Sequence, residues 1–222
     1  PLERLIALEP IRSAWDMKEL AKRRNDMFAE LAPKGNGFGP IAALSLLRER
    51  LSQDGIMTCD VGSHTHLIGQ AWRTPHRWGQ IMTNGWSSMG FGVPAAIGAK
   101  IAQPEKQVAC VTGDGGFMMM AGEMSTAKRL NLDIVFVVLA DRNLELIRIK
   151  QGRRGMETYG TILSGRDVPT HQSMFGVPVL AASDTESYRE ALAKAFEADG
   201  PVIVEAVIDA AEYDGLILKK HK

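Results

Sequence analysis

Apolar residues in this chain gather into short dense runs, and between the runs they thin out to helical spacing. Ile134–Ala140 is seven apolar residues in a row, the mark of a strand covered on both faces. Ile56–Cys59, Val108–Thr112 and Val202–Val207 are shorter runs of the same kind, and Gln80–Thr83 is a further candidate strand. Ile41–Leu51, behind Pro40, carries apolar residues at helical spacing, and Ala121–Leu130 and Glu186–Ala198 read as helices too. Val93–Ile101 is small and apolar, which predicts a tightly packed buried helix. Strands alternating with helices predict the α/β class, a parallel β-sheet with helices on both faces. Ligands in such sheets bind beyond the carboxyl ends of the strands, so the chemistry is sought there.

The pattern breaks once. Pro33-Lys34-Gly35-Asn36-Gly37-Phe38-Gly39-Pro40 is a cluster of helix and strand breakers. Before it the chain is charged and helix-prone, with Trp15, Leu20, Met27, Phe28 and Leu31 scattered through it. Residues 1–35 therefore read as a linker or docking arm from a preceding domain, and residues 36–222 as one domain with a sizeable core. Lys and Arg number 26 against 26 Asp and Glu, so no global field favours nucleic acid or an anionic membrane. No apolar run is long enough to span a bilayer. The two cysteines, Cys59 and Cys110, sit in strand-like runs and read as buried thiols, without the CxxC pair of a zinc site. A cytoplasmic setting is the default expectation.

Three strands run into an acid: Asp60 in Asp60-Val61-Gly62-Ser63-His64, Asp114 in Gly113-Asp114-Gly115-Gly116, and Asp141 in Asp141-Arg142-Asn143. A parallel sheet brings these ends to one edge. Glycines between a strand and a helix let backbone N–H groups approach an anion, and the helix start adds partial positive charge. A carboxylate in that loop repels phosphate unless a cation lies between them, so the loop suggests a metal-bridged phosphate. No Lys-Ser/Thr pair follows, which excludes a Walker A loop, and the spacing is not that of a dinucleotide fold. The plain alternative is a tight strand-to-helix turn with a capping Asp. Asp141 follows 27 residues after Asp114, one helix and one strand later. Two carboxylates, a backbone carbonyl, phosphate oxygens and water would complete the octahedron that magnesium prefers.

Gly113-Asp114-Gly115 with an acid or amide at that distance resembles the metal motif of thiamine-diphosphate-dependent enzymes of the acetolactate synthase and 2-oxoacid decarboxylase type. Asp60–His64 is similar to their diphosphate-contacting loop. Asn84–Ala99 is similar to their stretch between two cofactor contacts. The resemblance implies that Asp114, the Asp141 side chain and the Asn143 carbonyl bind Mg2+. It implies that Gly62, Ser63 and His64, with Gly113, Gly115 and Gly116, hold the diphosphate. Met89 would be the apolar residue that bends the cofactor, and the Ser87 carbonyl would accept from its amino group. By spacing alone Met89 is core, Ser63 is a helix cap and His64 lies on the surface. Glu123 reads as structural, and His66, His76 and His171 have no motif around them. The motif departs from the common pattern at Asp141, where Asn is usual, and at Ser87, where Gly is common. The basic run Arg148, Lys150, Arg153 and Arg154 either covers the site or is a solvated helix face.

The family's chemistry also needs a Glu from a pyrimidine-binding domain, in the same or another chain. No part of this chain resembles that domain, so no catalytic residue is assigned here and the chain is expected to be inactive alone. The implied parent decarboxylates a 2-oxoacid and passes the acyl-anion equivalent to a proton or a second carbonyl, as a lyase or transferase. A homo-oligomer, dimer or tetramer, is implied. The alternatives are a dedicated small subunit of a two-chain 2-oxoacid decarboxylase, or a non-catalytic assembly or regulatory domain that kept the fold.

Overall fold

The computed structural model describes residues 2–8, 14–30, 37–163 and 171–216. The chain divides into two compact units, Pro1–Ala32 and Pro33–Lys222. Among the described residues the first holds two helices, α1 (Leu2–Ile6) and α2 (Met17–Glu30). Asp16 accepts a hydrogen bond from the Lys18 N–H at the start of α2, and Arg23 pairs with Glu19 one turn back. No residue of α2 is buried, and Trp15, Leu20 and Met27 are exposed. Residues 33–36, half of the breaker cluster, lie outside the described residues.

The second unit alternates strands and helices. In order they are α3 (Pro40–Arg50), β1 (Ile56–Cys59), α4 (Ser63–Ala71), β2 (Gln80–Met82), α5 (Gly92–Ala102), β3 (Val108–Gly113), α6 (Asp114–Met119) and α7 (Glu123–Arg129). There follow β4 (Ile134–Ala140), α8 (Glu145–Arg153), β5 (Ser173–Met174), β6 (Val177–Ala182), α9 (Thr185–Glu197), β7 (Val202–Val207) and α10 (Ala211–Leu216). The seven strands form one sheet in the order β2-β1-β3-β4-β7-β6-β5, and every pairing except the short β5–β6 pair is parallel.

Strand side chains alternate between two apolar layers. Met57, Cys59, Val111, Val137, Leu139 and Val204 face a core built with α3, α4 and α9. Cys110, Ile134, Phe136, Val138 and Ile203 face a second core built with α5, α6 and α7. This two-sided cover is why β4 is apolar at every position: all seven residues are buried. Each such aliphatic side chain contributes on the order of 2 kcal/mol through burial. Burial also pushes the Cys59 thiol up to about 12, and both cysteines are free. Among the described residues no helix is long and apolar enough to cross a membrane.

The expected strands fall where the pattern put them, and the expected helices shift by one to a few residues. The region read as one helix from 121 starts at Glu123, because the chain spends Asp114–Met119 on a separate short helix. β6 and β5 escape a pattern reading: Pro178 interrupts β6, and only its two ends are buried.

β1 has β2 on one side and β3 on the other, so the chain reverses its direction of travel across the sheet between β1 and β3. Crevices beyond the carboxyl ends of strands open at such a reversal.

Candidate functional site

A cleft with about 540 Å3 of open space lies beyond the carboxyl ends of β1, β3 and β4. Ten of the eleven residues assigned from sequence line it: Gly62, Ser63, His64, Met89, Gly113, Asp114, Gly115, Gly116, Asp141 and Asn143. Ser87 does not. It lies on the exposed loop before Met89, with φ +54°, a backbone conformation that glycine adopts more readily. The cleft also takes in Leu144, Glu145, Leu146, Ile147 and Tyr213, which no sequence motif marked.

Asp114 and Asp141 reach the cleft from neighbouring strands, since β3 and β4 pair with Gly113 opposite Leu139. Asp114 accepts from its neighbour Gly115 N–H at 2.8 Å and from Arg142 N–H at 2.6 Å. Asp141 accepts from Asn143 N–H at 3.0 Å. These donors do not offset burial. Burial raises the Asp114 carboxyl to about 6, and burial followed by the charge of Asp114 raises Asp141 to about 7. The pair is thus short of positive charge. Among the described residues, no three His, Cys, Asp or Glu side chains converge as a metal-binding group. A cation bridging Asp114 and Asp141 would take its remaining oxygens from carbonyls, phosphate or water, the mixed set that magnesium accepts.

On the opposite wall, Ser63 is the first residue of α4, with Gly62 in the cap position. Its hydroxyl is buried and has no hydrogen-bond partner. That excludes the cap reading and leaves a donor beside the cleft. The turn is closed by Thr65 instead, whose hydroxyl accepts from Gly62 N–H at 2.9 Å and donates to the Asp60 carbonyl at 2.7 Å. His64 is buried, not superficial, and its Nε2 lies 3.1 Å from the Asp60 carbonyl. Burial holds its imidazole well below the usual range, at about 4, so it is neutral at pH 7. Donation from Nε2 to that carbonyl leaves Nδ1 on the side of Gly62 and Gly113. Met89 stands at the mouth, 36% exposed, which corrects its reading as core. The Asn143 Oδ1 is a second buried oxygen without a partner in the cleft.

Asp60, at the end of β1, is completely buried. Its Oδ1 accepts from Val61 N–H at 2.7 Å and Phe91 N–H at 3.1 Å, and its Oδ2 from Gly90 N–H at 3.1 Å and the Thr112 hydroxyl at 3.0 Å. The motif at 113–116 is glycine-rich partly for this reason. A Cβ on Gly116 would overlap the Asp60 Oδ2, and one on Gly92 would lie 2.9 Å from the Asp60 Cβ.

The basic run divides between its two readings. It lies on α8, whose first turn lines the cleft, while Lys150, Arg153 and Arg154 are exposed. Arg148 pairs with the buried Glu145 and with Asp214 of α10 at 3.1 Å. That ladder sets α10 where Tyr213, fully buried, reaches the cleft.

Over 173 residues the chain is 34% identical to the acetolactate synthase isozyme 2 large subunit of Escherichia coli (strain K12), covering 76% of this chain and 31% of that protein. It is 28% identical to the acetolactate synthase of Bacillus subtilis (strain 168) over 173 residues, 78% of this chain and 30% of that protein. It is 27% identical to the acetolactate synthase large subunit of Lactococcus lactis subsp. lactis (strain IL1403), over 96% of this chain and 37% of that protein. The chain therefore spans roughly a third of the length of these relatives. Residues 60–206 match the family model described as thiamine pyrophosphate enzyme, C-terminal TPP binding domain. On that match, and on the parallel sheet that carries it, the chain belongs to the thiamine pyrophosphate enzymes as their C-terminal cofactor-binding domain.

Proposed function

We propose that the cleft holds the diphosphate of thiamine diphosphate (thiamine pyrophosphate) through a Mg2+ ion, as one half of the active site of a 2-oxoacid decarboxylase or carboligase of acetolactate synthase type. The observation that carries this reading is the meeting in one cleft of two charge-starved carboxylates, Asp114 and Asp141, with the unpartnered Ser63 hydroxyl. Such a set suits a cation on one wall and a phosphate on the other. Asp114 and Asp141 bind the metal through their side chains and Asn143 through its carbonyl. Ser63 donates to the diphosphate together with backbone N–H groups of the 113–116 turn. Met89 supports the cofactor from the mouth. The group, when bound, supplies a nucleophilic carbon and a sink for the electron pair left by loss of CO2.

The chain's own residues bind and orient. The apolar wall of Leu144, Leu146 and Ile147 limits the access of water to the cleft. A pyrimidine-binding domain supplies the remaining acid, and the working assembly is a homo-oligomer, dimer or tetramer. The acetolactate synthases to which the chain is similar support a 2-oxoacid as substrate. Calorimetric titration of the native full-length polypeptide with thiamine diphosphate, with and without Mg2+, tests the reading. Binding that needs Mg2+ is expected. Absence of binding at any Mg2+ concentration favours a non-catalytic domain that kept the fold.

A further inference from the structure

We propose that Asp60 is the positioning residue of the cofactor cleft, fixing three of its walls to one another through a single buried carboxylate. The proposal rests on the reading of the cleft as a cofactor site.

Each oxygen of Asp60 receives two donors, and the donors come from three separate segments. Val61 N–H belongs to the turn that carries Gly62, Ser63 and His64. Gly90 and Phe91 N–H follow directly on Met89. The Thr112 hydroxyl precedes the Gly113–Gly116 turn, and the same hydroxyl reaches the Gly113 carbonyl at 3.0 Å. Four donors on two oxygens suit an acceptor-only carboxylate. Asp60 also fixes the walls by contact, because it packs against Gly92 and Gly116 at distances that exclude a Cβ. Its backbone adds to the joint: Asp60 N–H donates to the Val111 carbonyl at 2.9 Å, and its own carbonyl accepts from Thr65 and meets His64. These segments are far apart in sequence, and their hydrogen bonds to one another run mainly through this one residue. Asp60 does not line the cleft, so it acts through Ser63, Met89 and the glycine turn and not by touching ligand.

An amide in place of the carboxylate breaks the pattern in a defined way. In Asp60→Asn the NH2 group faces either the two N–H donors at Oδ1 or the Gly90 N–H at Oδ2. The second is milder, since the Thr112 hydroxyl can turn to accept. The 90–91 segment therefore loosens while the sheet stays paired. Thr112→Val removes one donor only and is a gentler second variant, should the first fold poorly.

The test uses the native full-length polypeptide and reads amide hydrogen exchange beside thiamine diphosphate affinity in Mg2+. Leu192→Ala, a core truncation in α9 that does not touch the cleft, controls for general loss of stability. Loss of the Gly90 hydrogen bond should speed exchange at Gly90 and Phe91 by ~10-fold in Asp60→Asn and leave β4 protected, with Kd rising ~10-fold. Thr112→Val should move both readouts the same way by a smaller factor. Wild-type exchange at 90–91, or a Kd no weaker than that of Leu192→Ala, overturns the inference alone. Failure of the wild-type protein to bind the cofactor at all overturns the reading of the cleft, and this inference with it.

Discussion

At the end of β1 and at the ends of β3 and β4, aspartates stand along the same edge of one sheet, and their surroundings treat them in opposite ways. Asp60 is fully buried and receives four hydrogen bonds from three segments. Asp114 and Asp141 are less buried and share three backbone donors, and Asp141 also feels the charge of Asp114. Their carboxyls rise to about 6 and 7. Burial alone does not decide what a carboxylate costs; the number of donors aimed at it does. The satisfied acid organises the fold around itself. The unsatisfied pair leaves an excess of negative charge that a divalent cation would offset. One strand edge thus holds a structural acid and a binding pair of the same residue type.

The largest expected effect breaks the second half of that contrast. Asp114→Ala should weaken Mg2+-dependent thiamine diphosphate binding by ~100-fold or more, since a metal with two protein carboxylates loses one outright. Titration calorimetry in saturating Mg2+ reads it. Retained Mg2+-dependent affinity would show that Asp114 is not a ligand and that its high pKa reflects burial alone.

Next in size is a pH effect on the folded protein without metal. A carboxyl whose folded pKa stands above its ordinary value of 3.8 binds protons more tightly in the fold. Its contribution to stability is therefore fully present below that value and is lost as pH rises through the folded one. For Asp141 the loss runs from about pH 4 to about pH 7 and is complete above. Asp141→Asn does not titrate, so the variant should gain on wild type across that window, by on the order of 3 kcal/mol at pH 8. Urea unfolding at pH 4.5 and pH 8 should give a small difference at the acid end and a large one at the alkaline end. Saturating Mg2+ should shrink the gain. A difference independent of pH would mean that the fold does not raise the Asp141 carboxyl. His64 runs the other way. Its depressed imidazole costs stability as pH falls from about 6.5 towards about 4, and it is common to both proteins, so it cancels in the comparison.

Ser63→Ala sharpens the contrast on the opposite wall. The hydroxyl has no partner within the fold, so its removal should leave stability within about 0.5 kcal/mol. Cofactor affinity should fall ~10-fold, the worth of one hydrogen bond to a charged phosphate oxygen. Equal losses in both measurements would make Ser63 a structural residue.

Much of this was legible in the sequence, and the rest was not, for reasons that differ by residue. Apolar runs gave away β1, β3, β4 and β7 because these strands are covered on both faces and have little freedom of composition. β6 was hidden by Pro178 and by its half-exposed positions, which look like loop. Strand-end acids and glycines placed Asp114 and Asp141 on adjacent strands, since one helix and one strand separate them. Asp60 stands in a strand-end motif that does not reveal its role, because its partners are backbone N–H groups at 90 and 91 and the Thr112 hydroxyl. Backbone donors carry no side-chain signature. The one trace was indirect: Gly92 and Gly116 lack a Cβ where Asp60 packs. Tyr213 and Glu145 reach the cleft only through the packing of α10 and α8, which no local pattern encodes.

The smallest effect asks whether the Asp60 joint strains the loop that it anchors. Ser87 sits three residues before Gly90 at φ +54°, where a side chain crowds its own backbone at a cost of about 1–2 kcal/mol. Its hydroxyl lies 3.5 Å from the Gly85 carbonyl, too long to compensate fully. Ser87→Gly removes the crowding but gives the unfolded chain about 0.5–1 kcal/mol more entropy to lose. The net gain should be about 0.5 kcal/mol in urea unfolding. If the pinning of Gly90 and Phe91 is what holds Ser87 in that conformation, the gain should vanish in Asp60→Asn, where the loop can relax without help. An equal gain in both backgrounds would place the strain in the 83–87 turn itself, and Asp60 would then fix the position of Met89 without shaping the loop that leads to it.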